Sequence, residues 1–201
     1  MSVLLPTTPS PTDGTEPSYL DWGGTLRPIF GGSLQKLRRL GDRFALSVVM
    51  PPMFTAEAGM LWVARLIAAR RAGGAVLPWP QPGFTPPPSG APRVAGAGQS
   101  GSLLTIEGFN PVDYLVREGQ FFSIIHGGRR YLHQAAESRA AVDGRITALA
   151  IQPMLRISPA NLAVCEFDEP KIEGMLGGDE QTWTPSTART IGLTFSITET
   201  K

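Results

Sequence analysis

Only one cysteine, Cys165, occurs in the chain, which excludes an internal disulfide and any zinc site built from several cysteines. Its neighbours Ala163, Val164 and Phe167 are apolar, the setting of a buried structural thiol. No apolar run approaches the length of about 18 residues that a membrane-spanning helix needs. Residues 1–16 lack both the basic leader and the apolar stretch of a signal peptide. The protein is therefore expected in the cytosol unless a larger particle carries it out. Net charge is scarce as well: 18 Lys plus Arg stand against 17 Asp plus Glu, so no long-range field draws the protein to nucleic acid or to a membrane surface. Lys36, Lys171 and Lys201 are the only lysines, and an arginine-rich remainder suits planar, bidentate contacts at interfaces.

Turn formers, by contrast, are abundant. With 23 Gly and 19 Pro in 201 residues, the chain has many loops while staying below the roughly 25–30% of a low-complexity sequence. Two β-favouring runs, Gln120–His126 and Arg129–Gln134, meet at Gly127-Gly128, the signature of a two-residue hairpin. Asp143-Gly144 opens a further run, Arg145 to Gln152, with Pro153 expected to stop it. Further strands are predicted over Thr25–Phe30, Ser33–Leu40, Arg43–Met50, Ala75–Trp79, Ser102–Gly108, Ala163–Glu166 and Thr190–Thr198. The last alternates Ile191, Leu193, Phe195 and Ile197 on one face. The fold class is mainly β, an antiparallel β-sandwich or split β-barrel.

One helix is predicted, Thr55 to Arg71, with Met60, Val63 and Ile67 facing the core, Trp62 and Leu66 widening that face, and Gly73-Gly74 as the stop. Residues 1–17, with four prolines and no apolar periodicity, read as a flexible N-terminal arm or strap. Residues 18–201 form a single β-rich domain, divisible into two subdomains at the proline-rich loop 78–92, which cannot enter a regular ladder.

Chemistry finds little support in these residues. In the predicted hairpin register His126 pairs with Arg129 and His133 with Phe122, so the two histidines stand about 13 Å apart on one face and cannot chelate one ion. Glu166, Asp168 and Glu169 form one carboxylate group and Asp179-Glu180 another. A hydrolase could take its acid and base from these. Their flanks, Pro170 and Gly177-Gly178, are those of strand ends and turns. Gly96, Gly98 and Gly101 imitate a dinucleotide-binding pattern but follow a proline-rich loop and precede a strand, so they read as a flexible connector. No enzyme activity, metal or cofactor is expected.

The order Met50-Pro-Pro-Met53 before the helix, Trp79-Pro-Gln-Pro-Gly83, Gly96 to Gly101, Gly119-Gln-Phe-Phe-Ser123, Gly127 to His133, Ile151 to Arg156 and Glu169 to Gly174 resembles tail-tip proteins of long-tailed bacteriophages. It is most similar to distal tail proteins, over Gly31 to Glu199. The resemblance implies a non-enzymatic virion protein at the tail tip, assembled with copies of itself into a ring, typically hexameric. Such a ring touches the tail tube protein on one side and the hub protein on the other, with the tape-measure protein in its lumen. The chain is too short to carry a large inserted carbohydrate-binding domain. The N-terminal strap and the proline-rich loop are expected at subunit boundaries, with Trp79, Phe84, Arg129 and Arg130 as candidate interface residues. Two alternatives come from other classes. One is a carbohydrate-binding β-sandwich stacking Trp79, Phe84, Trp183 or Tyr131 on sugar rings; the other is a small wall-degrading hydrolase using Glu166 or Asp179.

Overall fold

The structure, a computed structural model, describes residues 2–12 and 14–200. Strand accounts for 46% and helix for 9%, so the mainly β expectation holds. Strands β1 (Val3–Leu4), β2 (Glu16–Leu20), β3 (Gly24–Leu26), β4 (Gln35–Leu37), β5 (Arg43–Val49) and β6 (Met53–Phe54) precede a π-helical turn, Thr55–Gly59, and helix α1 (Met60–Ala72). After the helix come β7 (Ala75–Pro78), β8 (Gly90–Val94), β9 (Gly101–Phe109), β10 (Leu115–Val116), β11 (Phe121–His126) and β12 (Arg129–Ala135). The chain finishes with β13 (Arg139–Ala140), β14 (Arg145–Leu155), β15 (Cys165–Glu166), β16 (Lys171–Leu176), β17 (Trp183–Pro185) and β18 (Thr190–Glu199).

Two sheets carry the mass. The first has eight strands in the order β1-β7-β16-β18-β5-β2, with β6 and β17 also pairing with β18. All its pairs are antiparallel except β1 with β7. The second has six, in the order β15-β11-β12-β14-β9-β8. Bonds from Val94 N to Ala163 O and from Leu162 N to Val94 O, both 2.9 Å, bring its last strand back toward its first and nearly close a barrel. The proline-rich segment after β7 carries the chain from sheet to barrel.

Each sheet has its own core. In β18 the period-two alternation turns Ile191, Leu193, Phe195 and Ile197 inward, where they meet Leu46 and Val48 of β5. Helix α1 covers this layer through Trp62, Leu66 and Ala69, spaced i, i+4 and i+7. This differs from the expected face: Met60 and Ile67 are exposed, because the large indole of Trp62 takes the buried position, against Phe195. Gly73, at φ +79°, ends the helix as expected. Inside the barrel, Phe122 stacks on Phe167 with centroids 4.6 Å apart, and Phe109 and Tyr114 pack beside them. Each such buried side chain contributes on the order of 1.5–3 kcal/mol.

Three further expectations change, and strand β16 goes unpredicted. The N-terminal segment is laid along its own protomer: Val3–Leu4 extends the first sheet, Leu5 is buried, and Thr8 O accepts the Trp62 indole N–H. Pro153 does not stop β14. It lies between Ala150 and Leu155, where the ladder to β9 is irregular, so its missing N–H costs no cross-strand bond. Strands β3 and β4 are shorter than the runs 25–30 and 33–40. The Lys-Ile-Glu-Gly-Met-Leu run of β16 carries no clear strand pattern, yet it sits between β7 and β18. A Cβ on Gly174 would stand 2.0 Å from Thr198 O, so only glycine admits this close strand approach.

Candidate interaction surface

Three carboxylates, Glu199, Glu166 and Glu173, hold sheet and barrel together. Glu199 continues the inward alternation of β18 and is 1% exposed. Its Oε2 accepts Phe44 N of β5 at 2.9 Å, while Oε1 accepts Leu132 N of β12 at 2.8 Å and Arg156 Nη2 at 2.7 Å. Burial pushes this carboxyl above its usual range, against the opposing pull of Arg156. Arg156 is itself buried and lies 5.4 Å from the Tyr131 ring centroid.

A second cluster lies nearby in the chain's topology. Glu166 accepts Arg130 Nε at 2.9 Å, Arg130 Nη2 at 3.2 Å and Ser123 Oγ at 2.7 Å. Burial alone would raise its pKa, but the bonds from Arg130 and Ser123 outweigh it and hold the carboxyl below the usual range. Glu173 of β16 accepts Arg130 N at 2.9 Å and Ser2 Oγ at 2.6 Å. Asp168 accepts Ser89 N at 2.9 Å. Asp179 lies in an exposed turn, apart from these bonds.

The hairpin register is as predicted, His126 with Arg129 and Phe122 with His133. Buried His133 directs Nδ1 to Pro153 O at 3.0 Å, which makes that nitrogen the donor. Burial pushes its pKa down to about 4, so the ring is neutral. Buried Cys165 has its thiol pushed up to about 12 by the same cause. Among the described residues no group of His, Cys, Asp and Glu could hold a metal ion, and no helix is long and apolar enough to cross a membrane.

The candidate interface residues are scattered. Trp79 is 5% exposed and packs on Phe44 and Phe121, so its indole belongs to the protomer's own core. Phe84 is half-buried, with the Arg117 guanidinium 5.7 Å from its ring centroid. Arg130 is engaged by Glu166, and Arg129 is exposed beside the hairpin turn. Of the aromatics considered for sugar stacking, Tyr131 is buried under Arg156, and Trp183 alone is broadly exposed, at the edge strand β17. A cavity of about 630 Å³ opens between residues 6–12 and 14–17 on one side and the Trp79–Pro82 loop on the other. Prolines and threonines dominate its walls, and Glu169 is the one ionisable residue among its described lining. The Gly96–Gly101 stretch is a turn between β8 and β9 in which Gln99 Oε1 accepts Thr105 N at 2.6 Å and Gln99 Nε2 donates to Ala95 O at 2.8 Å.

The strongest surface feature lies elsewhere. Strands β3 and β4 pair only with each other, and every residue from 25 to 40 is exposed. Phe30 is 101% exposed, Ile29 92% and Leu34 65%, with Leu26, Leu37 and Leu40 along the same ribbon. Its base is held: Asp42 accepts Trp22 N at 2.8 Å and Tyr19 Oη at 2.9 Å, and Arg43 lies 5.1 Å from the Trp22 ring centroid. Lys36 pairs with Asp21 across the ribbon. An anchored hairpin with an apolar tip in solvent is a candidate interaction surface. Sequence alone marks these runs as strands but cannot tell that no third layer covers them. No protein-family model matches the chain, and no curated protein matches it.

Proposed function

We propose that this protein is a structural ring component of a bacteriophage tail tip, of the distal tail type, joining the tail tube to the hub complex. The observation that carries the assembly reading is the hairpin Gly24–Leu37, whose Ile29 and Phe30 stand free of the protomer. Apolar side chains held off a body that is already well packed gain free energy only against another surface. A contact repeated from copy to copy is how a ring uses such a projection. The sheet and the barrel, clasped through Glu199 and Arg130, supply the rigid body from which it projects. The place in the virion comes from the resemblance of segments between Gly31 and Glu199 to distal tail proteins, which also names the expected partners: copies of itself in a hexamer, the tube protein, the hub protein and the tape-measure protein.

Gold-labelled antiserum against this chain, applied to purified particles in the electron microscope, tests the placement. Label confined to the tail end is the expected result. Unlabelled particles with the protein free in the lysate would overturn it and bring forward the reading as a carbohydrate-binding module, testable by polysaccharide binding of the monomer.

A further inference from the structure

We propose that the hairpin tip of one copy docks on the barrel end of another copy, on the patch formed by Val112, Leu115 and Val142 with Asp113 and Asp143. This rests on the assembly reading above and adds the site that receives the hairpin.

Three observations converge on this patch. First, residues 25–40 are exposed throughout, so the tip is seated nowhere on its own body and its acceptor lies on a second molecule. Second, charge is divided unevenly. The segment 24–40 holds Arg27, Lys36, Arg38 and Arg39 and no acidic residue, so a chain of net charge +1 leaves −3 on everything else; Lys36 is taken up by Asp21, and the three arginines carry the ribbon's attraction for a partner. A basic ribbon and an acidic body attract each other between copies. Third, the exposed apolar residues of the body fall into patches of different charge. Val112 is 59% exposed, Leu115 49% and Val142 72%. The backbone brings them together, through Gly144 N to Val112 O and Ala141 N to Tyr114 O at 2.8 Å and the pairing of Leu115 with Ala140. Asp113 and Asp143 are exposed beside them; of the neighbouring arginines, Arg145 is matched by Glu107, Arg139 by Glu137, and Arg117 lies over the Phe84 ring.

A competing patch, Phe54, Met60 and Leu61 around the start of α1, has Glu57 beside it but also exposed Arg65, so it offers the basic ribbon no net negative charge. Because donor and acceptor are different surfaces, the contact is heterologous and closes into a ring or runs on as a filament.

The test mixes the full chain carrying Phe30→Cys with the full chain carrying Val142→Cys under mild oxidation, and scores the disulfide-linked pair on a non-reducing gel. A parallel mixture replaces Val142→Cys with Phe54→Cys. All three sites are exposed, and native Cys165 is buried, so it does not compete. Light scattering of the unmodified chain and of Phe30→Asp runs alongside. The proposal expects oligomers that Phe30→Asp dissolves, and a Phe30–Val142 link formed at least about tenfold faster than the Phe30–Phe54 link. Oligomers that Phe30→Asp dissolves but in which Phe30 links to position 54, to itself, or to neither would overturn the barrel-end site while leaving hairpin assembly standing. A chain that stays monomeric at all concentrations, with no link, would overturn both.

Discussion

Strand β18 and the hairpin of β3 and β4 both carry apolar residues at short intervals, and they meet opposite fates. In β18, Ile191, Leu193, Phe195 and Ile197 are all buried, because β16 and β5 flank the strand and α1 lies over it. In the hairpin, Leu26, Ile29, Phe30 and Leu34 face solvent, because a two-stranded ribbon has no second layer to cover either face. Apolar content therefore does not separate core from surface; the number of neighbouring elements does.

The largest test of this contrast removes the polar clasp under β18. Glu199→Ala strands Arg156 and two backbone donors in the interior. It should cost about 3–5 kcal/mol in urea unfolding, whereas Phe30→Ala should leave protomer stability within about 0.5 kcal/mol of the parent. Next in size, Ile197→Ala opens a cavity in the first core and should cost about 2–5 kcal/mol. If an exposed hairpin residue proved equally costly to protomer stability, the contrast would fail.

Deleting residues 2–12 should destabilise the protomer as well as any assembly, since Leu5 is buried and β1 closes the edge of the first sheet. Thermal unfolding of the truncated monomer measures this directly.

A smaller effect separates the regions by pH. His133 is neutral in the folded state, with its pKa lowered from 6.5 to about 4. The unfolded chain binds the proton first, so this group's contribution is whole above pH 6.5 and is lost as pH falls toward 4, at up to about 1.4 kcal/mol per pH unit. Buried Glu199, whose carboxyl is raised, titrates with the opposite sign, so the informative comparison is between parent and His133→Gln. The variant should show a shallower loss of stability between pH 6.5 and pH 4, and hairpin substitutions should leave that slope unchanged. The smallest effect concerns salt. If the three hairpin arginines meet an acidic body, raising ionic strength should weaken association while barely moving protomer stability.

Local signals were legible wherever backbone chemistry alone decides. Gly127 and Gly128, at φ +58° and +74°, make the two-residue turn that sets His126 opposite Arg129. Gly73 stops the helix, and strict alternation marks β5 and β18. The same alternation, carried one step past Ile197, reaches Glu199 and was a readable sign of a buried carboxylate. Trp79 was harder: its proline-rich surroundings suggest a surface loop, but Phe44 and Phe121 arrive from distant segments to enclose it.

The sequence by itself determined a β-rich chain with one helix, without disulfides and with nearly balanced charge, because turn residues, periodicity and composition act over a few residues. Only the tertiary structure decided which apolar residues find a cover. It buried Trp62 in place of Met60, drew Glu199 against donors from two sheets, and left Phe30 in solvent. Which groups meet depends on contacts between residues far apart in the chain, which no local pattern encodes.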